Sequence, residues 1–303
     1  SLIYNSVVHF LAVSVISAVF AFVMSLVISR FKAKRKCDPI NAERAWIEVN
    51  LDNLRGNVQA LNEAMPEKCE LMAVVKAEAY GHGAFETAAY LEKIGVEAFA
   101  VATIEEGIEL RSYGIRGDIL ILGYTSPDRA GELKRFKLMQ TLVSYEHAVE
   151  LSSKGVKIDV HIKLDTGMHR LGFDCEEVGK IADVFSMKNI SVKGIYTHLC
   201  SADSLSQDDV TFTKNQISRF YNALDILKAA NIKIPKTHIQ SSYGLLNYPD
   251  IECDYIRAGV SLYGVLSKPD DDTRLKLNLK PVLSLKSKVV VVRDVKAGDT
   301  VGY

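Results

Sequence analysis

The chain has 303 residues, 48% of them apolar and 24% charged, enough to build one large core or two ordinary ones. Basic and acidic residues balance at 37 each, but unevenly: residues 1–29 carry no formal charge, residues 30–36 carry five basic groups, and residues 37–303 are left at −5 by difference. A mildly acidic folded portion argues against a nucleic-acid partner, and five cysteines (Cys37, Cys69, Cys175, Cys200, Cys253) without a CxxC spacing argue against structural zinc and for free thiols in a reducing compartment.

Residues 1–29 predict a transmembrane helix. Residues 10–28 form an uncharged, mostly apolar run, close to the roughly 20 residues a helix needs to cross the hydrocarbon core. The basic cluster follows the run, which excludes a cleavable signal peptide and, by the positive-inside rule, puts the rest of the chain on the cytoplasmic side of a cell membrane. Residues 30–43 read as a basic juxtamembrane linker. The chain begins with Ser rather than Met, so it is expected to be a fragment.

Beyond the linker, apolar runs rich in Val and Ile alternate with helical spacing. The expected strands are Leu71–Lys76, Ala98–Ala102, Asp118–Gly123, Gln140–Ser144, Lys157–Leu164, Val192–His198, Lys236–Gln240 and Tyr255–Val260. Helices are expected between them, among them Leu51–Met65, Phe85–Lys93, Ile104–Tyr113 and Thr211–Ala229. Eight alternating units predict an α/β fold: a closed (β/α)8 TIM barrel over residues 44–276, with an open doubly wound sheet as the rival. Residues 277–303 read differently. A β run at Val289–Val292 and a turn at Ala297-Gly298-Asp299, with no helix between, predict the start of an all-β C-terminal domain that stops unfinished.

Catalytic groups of such a barrel lie at the C-terminal ends of its strands. The first strand ends in Val74-Val75-Lys76-Ala77-Glu78-Ala79-Tyr80-Gly81-His82-Gly83. A lysine there is a candidate Schiff-base amine, since desolvation favours the uncharged form of an amine, although a strand-end lysine can equally be solvated by its loop. The fifth strand runs into Lys163-Leu164-Asp165-Thr166-Gly167-Met168-His169-Arg170, the sixth ends at His198, the seventh carries His238 and Ser241-Ser242, and the eighth reads Tyr255-Ile256-Arg257-Ala258-Gly259-Val260. The last residues are Val301-Gly302-Tyr303.

Residues 73–83 resemble the cofactor-lysine signature of the alanine racemase family, departing only at Glu78, where Asp is usual, and the likeness extends over residues 44–303. The resemblance implies pyridoxal 5′-phosphate as cofactor, linked covalently to Lys76. Tyr80, Ser242 and the backbone of Gly259 and Val260 are then expected to hold its phosphate. Arg170 would approach its phenolic oxygen, supported by Lys163, which is carbamylated in some members. His198 would lie by the ring, His238 would support the ring arginine, and Arg257 would face the pyridine nitrogen. His169 stands where glycine is usual, and Ser241 where many members have Asn. Two bases are implied, Lys76 for the D face of the substrate and Tyr303 for the L face. In the family this tyrosine enters from a partner subunit, so a homodimer is expected. The phenol ordinarily titrates near 10, and His198 and Arg257 are expected to lower it.

An apolar helix ahead of such a barrel is similar to the membrane-bound serine and alanine racemases of vancomycin-resistance gene clusters, where D-serine or D-alanine alters cell-wall precursors. On that analogy serine is favoured over alanine. The alternatives are a non-catalytic pyridoxal-phosphate-binding homeostasis protein, which lacks the β-domain; a barrel-type decarboxylase, which suits Arg257 and Tyr303 poorly; and a membrane amino-acid sensor with a racemase-like barrel.

Overall fold

Strand pairing settles the choice between an open sheet and a barrel. The computed structural model describes residues 43–268 and 271–302. Eight parallel strands follow the order β10-β2-β3-β4-β5-β6-β8-β9: β2 (Glu70–Val74), β3 (Ala98–Val101), β4 (Asp118–Ile121), β5 (Met139–Leu142), β6 (Ile158–Asp165), β8 (Ile190–Tyr196), β9 (Lys236–His238) and β10 (Tyr255–Ala258). The two-residue β7 (Phe173–Asp174) pairs only with β6. The ring closes between β9 and β10 through a bridge from Ser241 to Arg257 and backbone bonds from Asp254 to Thr237 (2.8 Å) and from Arg257 to Gln240 (3.2 Å). The barrel expectation therefore holds, and an open sheet is excluded.

Local sequence explains the helices on the outside. Asn50 caps α1 (Leu51–Ala64) by accepting the Asn53 N–H, and Leu54, Val58 and Leu61 recur at helical spacing on its buried face. Thr103 and Glu106 form a capping box on the helix at Ile104–Ser112. Ser144 and Ser206 cap the helices at Tyr145–Ser153 and Gln207–Ala229. Each cap contributes about 1 kcal/mol.

Residues alternate across each strand. Val160, Ile162, Leu164, Ile195, Ile239 and Ile256 join the core beneath the helices. The opposite face fills the barrel, whose two halves differ. Met72, Val74, Ala98, Ala100, Leu120, Met139 and Tyr255 pack together, whereas β6 to β10 also contribute the buried polar side chains His161, Lys163, His238 and Arg257, together with Tyr196. Room for this polar half depends on Gly194 of β8, where a Cβ would stand 2.3 Å from the His161 ring. The β6–β8 register shifts between Val160 and His161, and that irregularity places the ring there.

The described residues divide into two units, and the smaller comprises residues 43–48 and 285–302. Its described part centres on a two-stranded sheet of β1 (Ala45–Val49) and β11 (Leu283–Ser287), with Lys286 paired to Glu48 at 2.5 Å. The turn near Ala297–Asp299 is present, with Gly298 at φ +95° and a bond from Asp299 N to Lys296 O. The predicted strand at Val289–Val292 does not form. A strand needs a hydrogen-bonding neighbour; the paired segment lies a few residues earlier, and these valines stand exposed.

The predicted membrane span at residues 10–28 lies outside the described residues, as does most of the linker. Among the described residues no helix is long and apolar enough to cross a membrane. The expected cell-membrane location with a cytoplasmic barrel is corrected accordingly: the apolar faces of the described helices pack on the barrel.

Candidate active site

The polar half of the barrel opens at the C-terminal ends of the strands into a cleft of about 280 Å³. Of the residues anticipated from sequence, Lys76, Tyr80, Lys163, Arg170, His198, Ser242, Arg257, Gly259 and Val260 all line it. His238 lies one layer below, fully buried, and touches Arg257. Tyr303 lies outside the described residues.

Lys76 is not the last residue of a strand, as expected, but the first of α2 (Lys76–Gly81), because the chain turns sharply after Val75. Ala77, Glu78, Ala79 and Tyr80 all have φ between +50° and +55°, and left-handed backbone costs roughly 1–2 kcal/mol per non-glycine residue. Backbone and side-chain bonds hold this turn. Glu106 accepts the Ala77 N–H at 2.8 Å and the Ala102 N–H at 2.6 Å, and Glu78 accepts the Ala84 N–H at 3.1 Å. Glutamate at 78 therefore serves as a local cap for the next helix. The turn places the Tyr80 ring 5.9 Å from Lys76 Nζ and carries the Tyr80 hydroxyl to Gly259, where an added Cβ would lie 2.8 Å from it.

The far wall is a fixed network. Both terminal nitrogens of Arg257 are committed: one donates to His238 Nδ1 (2.7 Å) and His238 O (3.0 Å), the other to Thr197 O (2.7 Å) and Ile239 O (3.3 Å). Burial pulls the guanidinium down to about 10, so it stays charged at neutral pH, and the residue lines the cleft. His238 Nε2 meets His161 Nδ1 at 2.7 Å, and burial beside Arg257 holds both rings neutral, His161 at about 3. Since Arg257 donates to Nδ1, His238 carries its proton on Nε2 and donates it to His161.

Tyr196 lies between these groups, stacked on His238 (4.4 Å, 7°), with the Lys163 ammonium 5.6 Å and the Arg257 guanidinium 5.0 Å from its ring. Lys163 is buried and donates to Leu164 O at 2.9 Å. Desolvation, reinforced by the Arg257 charge, lowers its amine to about 8. His198 is pushed down to about 3, first by burial and then by the surrounding cations, so it is a neutral imidazole. His169 takes φ +54°, the conformation that favours glycine, and is held by Asp165, which accepts its N–H at 3.0 Å and meets its ring at 3.2 Å.

Ser242 Oγ accepts from Gly259 N (3.1 Å) and Ser261 N (3.2 Å) and meets Ser261 Oγ at 2.9 Å. The Gly259 N–H, expected to face a phosphate, is thus directed at Ser242 here. Tyr80, Ser241, Ser242 and the open Cα of Gly259 still form one cradle of hydroxyl groups and backbone that a side chain at residue 259 would fill.

Sequence reasoning missed Tyr196, His161 and Glu106. Alternation held the signal for the first two, since Tyr196 lies two residues before His198 and His161 two before Lys163, on the same strand faces. Glu106 had none, because its contact to Ala77 joins the first turns of two separate helices, 29 residues apart in sequence.

A parallel barrel with a lysine in the turn just past a strand, an arginine-lined floor and a hydroxyl cradle at the same mouth defines a class of barrel enzymes that hold a phosphate-bearing aldehyde cofactor. Residues 49–267 match the family described as alanine racemase, N-terminal domain, and the chain belongs to that family. It is 51% identical over 302 residues to an amino-acid racemase of Enterococcus faecalis, covering all of this chain and 42% of that protein. It is 40% identical to a serine/alanine racemase of Enterococcus gallinarum, covering all of this chain and 43% of that protein. The chain thus spans less than half the length of these relatives. Among solved structures it resembles an alanine racemase of Clostridium difficile 630 in complex with cycloserine, at 36% identity and TM-score 0.77 over 83% of this chain and 70% of that one. Enzymes of this family use pyridoxal phosphate.

Proposed function

We propose that this chain is the barrel portion of an amino-acid racemase that interconverts the L and D forms of serine or alanine with pyridoxal phosphate. The observation that carries this is the convergence of Lys76, Tyr80, Arg170, His198, Ser242 and Arg257 on one cleft. Residues 44–276 form the cofactor barrel in this reading, and residues 277–303 open a β-domain.

The residues present fit the cofactor. Lys76 would hold its aldehyde carbon, the Tyr80–Ser242–Gly259–Val260 cradle its phosphate, Arg170 its phenolic oxygen and Arg257 its ring nitrogen. Pyridoxal phosphate, when bound, supplies the electron withdrawal that makes the substrate Cα–H acidic. Arg257 would donate a hydrogen bond to the ring nitrogen without surrendering its proton, which would keep the cofactor's electron withdrawal modest and favour return of the proton to the substrate Cα over its loss elsewhere. The neutral His161–His238 pair fixes the guanidinium from behind. Lys163, with an amine near 8, is suited to carbamylation and would then orient Arg170.

Lys76 Nζ would move the proton on the D face of the substrate. Tyr303, entering from a partner subunit of a homodimer, would do so on the L face. His198 and Arg257 would favour the tyrosine's ionised form. The likeness to a serine/alanine racemase favours a small substrate, and the proposed role is to supply D-amino acid for cell-wall precursors in glycopeptide resistance.

A chiral assay of the full-length protein with L-serine and L-alanine side by side tests this reading. Inversion of at least one of them is expected, with Tyr303→Phe retaining bound cofactor and losing turnover most from the L side. A protein that binds amino acids but inverts neither would be a sensor, and the racemase reading would fail.

A further inference from the structure

Away from the cleft, two cysteines meet at the seam of the barrel. Cys69 directly precedes β2 and Cys253 lies two residues before β10, the first and last of the eight strands, and their sulfurs are 3.9 Å apart across 184 residues of sequence. Those strands pair in parallel from Glu70 and Tyr255 onward, and Glu70 N donates to Asp254 O at 2.9 Å. The backbone on both sides of the thiols is therefore fixed. A disulfide needs its sulfurs about 2 Å apart, so the two have to close from the 3.9 Å at which they stand here.

Both thiols also line an open cavity of about 510 Å³, with Lys68, Thr237 and Asp254 on its wall. Neither belongs to the site described above. The other described cysteines lack this arrangement: Cys175 is buried, and Cys200 is exposed at the far end of β8.

We propose that Cys69 and Cys253 form a thiol–disulfide exchange site that takes a small disulfide from solution and closes into a bond joining the first and last barrel strands. The two thiols differ in acidity. The contact between the two sulfurs, in which either can donate, holds Cys253 below the ordinary thiol value and, with burial, pushes Cys69 up, while Cys253 also reaches Tyr255 O at 3.3 Å and Gln240 Oε1 at 3.6 Å. In the proposed exchange Cys253, ionised at mildly alkaline pH, is the attacking thiolate. Its sulfur bonds to one sulfur of the small disulfide and expels the other as a thiol. Cys69 then loses its proton, bonds to Cys253 and displaces the second small thiol. Two protein thiols are oxidised by two electrons and one small disulfide is reduced to two thiols, so no further oxidant is required.

The test is incubation of the whole chain with glutathione disulfide at mildly alkaline pH, followed by intact mass, peptide mapping and thermal melting. The expected product is lighter by two hydrogens, with the peptides bearing residues 69 and 253 joined and the bond reversed by dithiothreitol. Closing so long a loop constrains the unfolded chain, so the melting midpoint should rise by about 5–10 °C. Cys69→Ser should instead carry a lasting glutathione adduct on Cys253 and show no such rise. The peptide map of the unmutated chain decides the matter even if that variant folds poorly. Glutathione adducts on Cys200 alone, or on residues 69 and 253 without a cross-link, would overturn the proposal, as would a cross-link that leaves the midpoint unchanged.

Discussion

Gly194→Ala isolates the support beneath the site. The new Cβ would lie 2.3 Å from His161 Nδ1, 2.5 Å from Cε1 and 2.9 Å from Cγ, against ordinary contact at about 3.5–4 Å. The ring has to retreat by roughly 1 Å in a fully buried site. Retreat stretches the 2.7 Å contact to His238 and strands a buried ring nitrogen. An unmet buried polar group costs about 1–3 kcal/mol, and overpacking adds about 1–3 kcal/mol, so a loss of about 2–6 kcal/mol is expected. Urea unfolding followed by far-UV circular dichroism measures it. The companion is His161→Ala/Gly194→Ala, in which the clashing ring is gone. Gly194→Ala should cost less than about 1 kcal/mol in that background. An equal cost with and without the His161 ring would refute the steric origin, and a variant as stable as the parent would refute the tight packing itself.

Gly259→Ala should leave the fold near parental stability, because the opposing atom is the tip of the Tyr80 side chain, but should weaken pyridoxal phosphate binding about tenfold or more by filling the cradle, which a cofactor titration reads directly. Lys163 gives a pH signature. Its folded value, about 8 against an ordinary 10.5, means the unfolded chain binds more protons in that window, so the penalty for burying the amine is full below pH 8 and fades as pH rises to 10.5. Lys163→Met should accordingly be more stable than the parent near pH 7, by at most about 3 kcal/mol, and the difference should shrink toward pH 10. Parallel stability curves would contradict the buried amine.

Most of the barrel was legible in the sequence. Parallel strands buried on both faces read as unbroken apolar runs, and all eight were placed correctly within a few residues. What composition could not reveal was which strand faces share an interior. Tyr196 and His161 were passed over although they alternate with the noted His198 and Lys163, because an inward face becomes a site only when the sheet closes. The β run at Val289–Val292 was misplaced for a related reason. Valine content signals strand propensity, but pairing decides, and β1 pairs with Leu283–Ser287 instead. The left-handed turn after Lys76 was also hidden, since none of Ala77, Glu78, Ala79 and Tyr80 is a glycine that would mark positive φ. Its support from Glu106 depends on a contact between two helix starts far apart in sequence.

The account stands on the amine of Lys76 as the attachment point at the mouth of the barrel. Incubation with pyridoxal phosphate, borohydride reduction and peptide mapping tests it most directly. One pyridoxyl group per chain is expected on residue 76, absent in Lys76→Ala. A protein that stays unlabelled, or that carries the label on Lys163 or a surface lysine instead, would contradict it.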